Sequence, residues 1–132
     1  MDKMPKKKCP QLDKGGIVME DCLFCKIIRG EVPSKKVYED DEIYAFEDIN
    51  PAAPIHILFV PKKHIESIAK TEKEDEALIG KIYNAINKIA EEKGVKDKGY
   101  RVVTNCGKDA GQTVKHLHFH LLAGTNMGEK LL

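Results

Sequence analysis

The chain has no tryptophan, and aromatic residues make up only 6% of it. A core built mainly on large rings is therefore excluded, and packing must rest on Ile, Leu, Val and Ala. Neither charge sign is in excess. Lys and Arg number 22 and Asp and Glu 21, a formal net charge of +1. Dedicated nucleic-acid binders carry a pronounced basic surplus, so no nucleic-acid partner is expected. No apolar run approaches the roughly 20 residues that cross a bilayer, so no membrane partner is expected either. The charged start, Met1-Asp2-Lys3-Met4-Pro5, is not followed by the apolar stretch of a secretory signal. That points to a cytoplasmic chain with reduced thiols, in which close Cys pairs read as metal or redox sites.

What is present fits one domain. The 132 residues, 42% of them apolar, suffice for one core and are too few for two of usual size. Residues 1–18 hold Pro5, Pro10, Gly15 and Gly16 with little apolar periodicity, and read as a flexible extension. Residues 19–132 read as the single folded unit. The charges divide along the same line: the first 18 residues carry a net +3 and the remainder −2. Attraction for an anionic ligand must then come from local donors in the folded part rather than from its overall field.

Apolar spacing predicts a short helix over 21–29, capped by Asp21 and stopped at Gly30. Two strands follow, 35–39 and 42–47, joined tightly at Asp40-Asp41. In the second, Ile43 and Ala45 point one way, Tyr44 and Phe46 the other. Pro51 and Pro54 make 48–54 a loop, and the β-branched run 55–60 reads as a central strand buried on both faces. Thr71 followed by Glu74 reads as a capping box. It opens a long helix carrying Leu78, Ile79, Ile82, Tyr83, Ile86, Ile89 and Ala90 at helical spacing, with Gly94 past its end. A strand over 100–105, a loop over 106–112 and a last strand over 114–123 complete the chain. The fold class is α+β: an antiparallel sheet of about five strands, one long helix and one or two short ones.

The most informative stretch is His116-Leu117-His118-Phe119-His120-Leu121-Leu122. On a strand the three histidines share one face and Leu117, Phe119 and Leu121 the other. The apolar face can pack on the long helix, leaving the imidazoles to look into a cleft. Such a set can hold a metal, or it can supply a nucleophile and a proton donor near neutral pH. The preceding loop, Asn105-Cys106-Gly107-Lys108-Asp109-Ala110-Gly111-Gln112-Thr113, offers small residues with amide and hydroxyl side chains that can approach an anion. A neutral imidazole beside a bound phosphate suggests phosphoryl or nucleotidyl transfer. A metal-only reading leaves Gln112 and Thr113 without a task.

The segment Gly111-Gln112-Thr113-Val114-Lys115-His116-Leu117-His118-Phe119-His120-Leu121-Leu122 resembles the signature of the histidine triad superfamily, His-φ-His-φ-His-φ-φ with φ apolar, and fits it at every position. Phe24 to Pro33, Phe46 to Pro51 and Val60 to Ile65 add further similarity to its nucleotide-binding branch. The resemblance runs from about Asp21 to Gly124. It implies a hydrolase of purine nucleoside phosphoramidates and related nucleotidyl compounds. His118 would be the nucleophile, assisted by His120 and Thr113. Asn105, Gly111 and Gln112 would hold the phosphate and Asp48 the ribose hydroxyls. Phe24, Ile27 and Ile49 would enclose the base, and His56 would line the site. Asp48 also has a plainer reading as a loop cap, His56 as a core histidine, and the three apolar residues as ordinary core.

Cys22 and Cys25 form a Cys-x-x-Cys, which alone is ambiguous between zinc, a redox couple and coincidence. A redox site of thioredoxin type expects a βαβ context that is lacking here. The resemblance implies a structural zinc held by Cys22, Cys25, His64 and His116, with no organic cofactor. It also implies a homodimer whose sheets join through the strand after the long helix. The last eight residues depart from the Trp- and Pro-bearing tails of the family. Two other readings stand beside the enzyme: a nucleotide-binding regulatory or partner protein with vestigial activity, and a metal-dependent hydrolase with the triad as ligands.

Overall fold

A computed structural model describes residues 22–132. The expected extension over 1–18 and the Asp21 cap lie outside the described residues. The elements in chain order are α1 (Leu23–Ile28), β1 (Lys36–Glu39), β2 (Ile43–Glu47), β3 (Ile55–Pro61), α2 (Glu76–Glu92), β4 (Arg101–Val103) and β5 (Phe119–Ala123). Three 3₁₀ turns, Ile68–Lys70, Lys73–Asp75 and Lys108–Ala110, lie in the connections. The five strands form one antiparallel sheet in the order β1-β2-β3-β5-β4. β3 is central, as its unbroken apolar run predicts, and six of its seven residues are buried.

Alternation along β2 and β3 gives the sheet two working faces. Ile43, Ala45, Ile57 and Phe59 pack with Leu117, Phe119 and Leu121 against Leu78, Ile82, Ala85, Ile86 and Ile89 of α2. Tyr44, Phe46, Leu58 and Val60 face the other way and pack with Cys22, Phe24, Cys25 and Ile27 of the α1 region. The chain is thus three layers, with the long helix on one face and the short one on the other. Tyr83, expected on the buried stripe of α2, is 48% exposed and meets Phe119 only edge-on. No helix among the described residues is long and apolar enough to cross a membrane.

Several local expectations are corrected. The capping box before α2 is formed by Glu72 and Asp75, not Thr71 and Glu74. Asp75 Oδ2 accepts from the Glu72 amide at 2.8 Å, while the Thr71 hydroxyl turns back to the Ile68 carbonyl. Lys63 Nζ lies 2.6 Å from Asp75 Oδ1 and, with that amide, holds the Asp75 carboxyl below its ordinary range against the opposing effect of burial. α1 is capped by the Cys22 sulfur, which accepts from the Cys25 amide. β4 is only three residues long and β5 only five. The last strand starts at Phe119 because its expected first half is engaged elsewhere. The Leu117 amide donates to the Ile65 carbonyl at 2.6 Å, and the His118 carbonyl accepts from the Thr104 hydroxyl at 2.7 Å. The histidine alternation survives without the ladder, since Leu117 packs toward α2 and His116 and His118 pack on Phe24.

Candidate functional site

The site lies on the α1 face of the sheet. His116 and His118 come from the segment entering β5, His120 from β5 itself and His56 from β3. The register sets Leu58 opposite His120 and His56 opposite Leu122, so His56 and His120 are diagonal neighbours on one face. The rings follow one another closely: His118 to His120 and His120 to His56 are each 5.1 Å between centroids. The face is not an open row of imidazoles. His116 is fully buried and His118 is 8% exposed, with Phe24 edge-on to His118 at 5.1 Å.

His118 Nδ1 lies 2.7 Å from the His116 carbonyl oxygen. A carbonyl only accepts, so Nδ1 carries the proton and Nε2 keeps its lone pair. Burial, only partly offset by that bond and by the Asp48 carboxylate, holds the ring below the ordinary histidine range and hence neutral. A neutral, oriented imidazole with a bare Nε2 is a nucleophile in its reactive form. His120 is pushed down to about 4 by burial and by the neighbouring His118 and His56.

His116 Nε2 lies 2.8 Å from the Pro61 carbonyl and so by the same logic carries the proton, while Nδ1 is directed at Cys22, Cys25 and His64. The four donor atoms lie within 4.8 Å of one another. Cys22 Sγ and His64 Nδ1 are 3.3 and 3.2 Å from His116 Nδ1, and Cys25 Sγ is 3.3 Å from His64 Nδ1 and 3.6 Å from His116 Nδ1. Bonds of about 2.0–2.3 Å in a tetrahedron give donor–donor edges of about 3.3–3.8 Å, so the set has the spacing and softness that suit zinc. Holding a metal would require Cys22 and Cys25 both as thiolates. Burial lowers His116 to about 3 and also lowers His64, favouring the neutral rings a metal needs.

The remaining residues divide. Asp48 sits at the end of β2, with Oδ1 accepting from the Asn50 amide at 2.7 Å and Oδ2 3.4 Å from His56 Nε2. The loop-cap reading is thus met by Oδ1, while Oδ2 faces the His56 ring. Thr113 is exposed and Asn105 half-buried on the loop that precedes the triad, and Gly111 takes a left-handed turn at φ 81°. Gln112, expected to face phosphate, instead spends both ends of its amide on protein. Oε1 accepts from the Gly107 amide, and Nε2 donates to the Glu66 and Val114 carbonyls. Phe24 and Ile27 are core residues of the α1 cluster, while Ile49 is 90% exposed on the loop after β2. Sequence reasoning missed Ala52, whose backbone amide donates to His56 Nδ1 at 2.9 Å, and Pro61, whose carbonyl orients His116. A backbone donor or acceptor leaves no mark in composition or spacing.

An antiparallel α+β sheet thus presents a cluster of imidazoles beside a glycine-bearing loop, an arrangement chemically suited to a phosphate ligand. The chain belongs to the histidine triad family: residues 21–131 match the family model described as scavenger mRNA decapping enzyme C-terminal binding. It is 43% identical over 112 residues to a purine nucleoside phosphoramidase of Escherichia coli K12, covering 85% of this chain and 94% of that one. It is 45% identical over 104 residues to Protein HitA of Neisseria gonorrhoeae, covering 79% and 96%. Among solved structures, a HIT family hydrolase from Clostridium thermocellum superposes with a TM-score of 0.84 at 51% identity, covering 86% of this chain and 98% of that one. The chain is accordingly a nucleotide-binding hydrolase of this family.

Proposed function

We propose that the protein hydrolyses purine nucleoside phosphoramidates and related nucleotidyl compounds through a nucleotidyl-His118 intermediate. The observation that carries this reading is the His118 ring, whose Nδ1 proton is held by the His116 carbonyl so that a neutral Nε2 keeps its lone pair. Nε2 attacks the α-phosphorus, the P–N bond breaks, and the departing nitrogen takes a proton from solvent water to leave as the neutral amine. Water then cleaves the N–P bond to release the nucleoside monophosphate. His120 and Thr113 hydrogen-bond the phosphate oxygens and the leaving group, and Asn105 and the Gly111 backbone border the phosphate. Asp48 takes the ribose hydroxyls, and Ile49, Phe24 and Ile27 meet the base. The phosphoramidase name of the Escherichia coli relative supports the substrate class. His118→Ala is expected to abolish turnover of adenosine phosphoramidate while nucleotide binding and the melting curve stay close to wild type. A mass adduct of one nucleotidyl group on wild-type protein after an acid-free quench locates the intermediate, and wild-type rates in the variant would sink it.

Cys22, Cys25, His64 and His116 would hold a structural zinc in the reduced, cytoplasmic chain. The zinc would tie α1 to the sheet and leave no position open for water. Chelation is then expected to lower the melting temperature of the reduced, metal-loaded protein without removing the nucleophile. A homodimer would pair two copies of the β4 edge, which ends the sheet beyond β5. Metal analysis and sedimentation, which should read twice the 14.8 kDa chain mass, check these two readings.

A further inference from the structure

The histidine at position 56 lies outside the triad, yet its ring has a polarity that a backbone amide dictates. The Ala52 N–H, 2.9 Å from His56 Nδ1, can only donate. His56 Nδ1 is therefore the acceptor, and the ring's single proton sits on Nε2. That nitrogen lies 2.8 Å from His120 Nδ1 and 3.4 Å from Asp48 Oδ2. With the proton on His56 Nε2, His120 Nδ1 must be the acceptor of the short contact, and the proton of neutral His120 moves to its Nε2. The direction of each bond follows from the one before it, and the Asp48 carboxylate favours the same placement by lying beside the donated proton.

We infer that His56 is a positioning residue: through the chain Ala52 N–H to His56 to His120 it locks His120 as the neutral, Nε2-protonated imidazole. His120 then acts as a hydrogen-bond donor toward the reacting phosphate rather than as an imidazolium acid. An imidazolium at His120 would set its Nδ1–H against the Nε2–H of His56 at 2.8 Å, which the arrangement disfavours. A neutral donor at fixed position stabilises charge that develops on phosphate oxygens or on the departing atom without a proton changing hands. The catalytic consequence rests on the hydrolase reading; the protonation pattern does not. The same polarity closes the second cluster of candidate ligands, Asp48, His56 and His120, to a metal, because His56 Nε2 is occupied by its proton. The titratable groups facing His120 are His56, His118 and Asp48.

The test is long-range ¹⁵N–¹H spectroscopy of the histidine rings in the full, ¹⁵N-labelled chain at pH 7. Wild type should show His120 protonated on Nε2 alone and His56 protonated on Nε2 alone. A proton on His120 Nδ1, or an imidazolium there, overturns the inference. In His56→Asn the shorter amide still accepts from Ala52 but ends short of His120, so His120 should become a mixture of tautomers. In His56→Gln the longer amide can still donate to His120 Nδ1, so the Nε2-protonated form should persist. With adenosine phosphoramidate, His56→Asn should lower kcat at least about tenfold with KM changed far less, and His56→Gln should recover most of it. Equal losses in both variants would mean that His56 merely fills space and would overturn the positioning role. The spectra need no substrate, so a wild type inert toward phosphoramidate would count against the hydrolase reading alone.

Discussion

A single proton on His118 decides whether the ring can attack. The His116 carbonyl holds that proton on Nδ1 at 2.7 Å, so the backbone two residues away orients the proposed nucleophile. Gln112 shows the same economy of backbone and side chain. Its amide ties Gly107, Glu66 and Val114 together, fixing the loop that precedes the triad. At about 0.5–1.5 kcal/mol net per bond, and with Gln112 only partly buried, Gln112→Ala should cost roughly 1–3 kcal/mol in urea unfolding. A rise in KM with unchanged stability would instead return Gln112 to the phosphate. The three partners of Gln112 lie 5, 46 and 2 residues away, and the distant one has no local signature. Residue types at the site were therefore legible in the sequence, while their hydrogen-bond assignments were not.

At the scale of elements, α2 is held by one apolar face, with Ile82, Ile86 and Ile89 all but inaccessible against the sheet. Ile82→Ala leaves a cavity under the centre of the helix and is expected to cost about 2–5 kcal/mol in chemical denaturation. Tyr83→Ala, at an exposed position one residue on, should cost far less. This helix, the faces of β2 and the central position of β3 could be read from periodicity, because burial of alternate or every third to fourth side chain leaves a direct pattern. The extent of β5 could not. Side-chain and loop bonds to Ile65, Thr104 and Pro61 outcompete the ladder before Phe119, and all three partners are remote in sequence. The capping box slipped by one residue for a similar reason, since Lys63 pairs with Asp75 and favours it over Glu74 as the reciprocal partner.

For the molecule as a whole, the buried imidazoles set its response to acid. His120 is held down to about 4, against an ordinary value near 6.5, so the unfolded chain takes up a proton first as pH falls. The stabilisation is complete above about pH 6.5 and is lost as pH falls through that value toward 4. Urea midpoints measured from pH 7 to 4 should therefore decline, and His120→Asn should flatten part of the decline. A midpoint independent of pH over that range would contradict a neutral, half-buried ring.

Among the described residues, the two faces of the sheet differ greatly in how much covers them. A seventeen-residue helix closes one and a six-residue helix the other, where the four cysteine and histidine ligand candidates lie. Amide hydrogen exchange should separate them into two cooperative units. Protons of α2 and β3 should exchange only through global unfolding. Those of α1 should escape through a smaller opening that leaves the sheet intact. Loading zinc should slow exchange in α1 and leave α2 unchanged, so the metal would act as a latch on the face that the shorter described helix covers, beside His118.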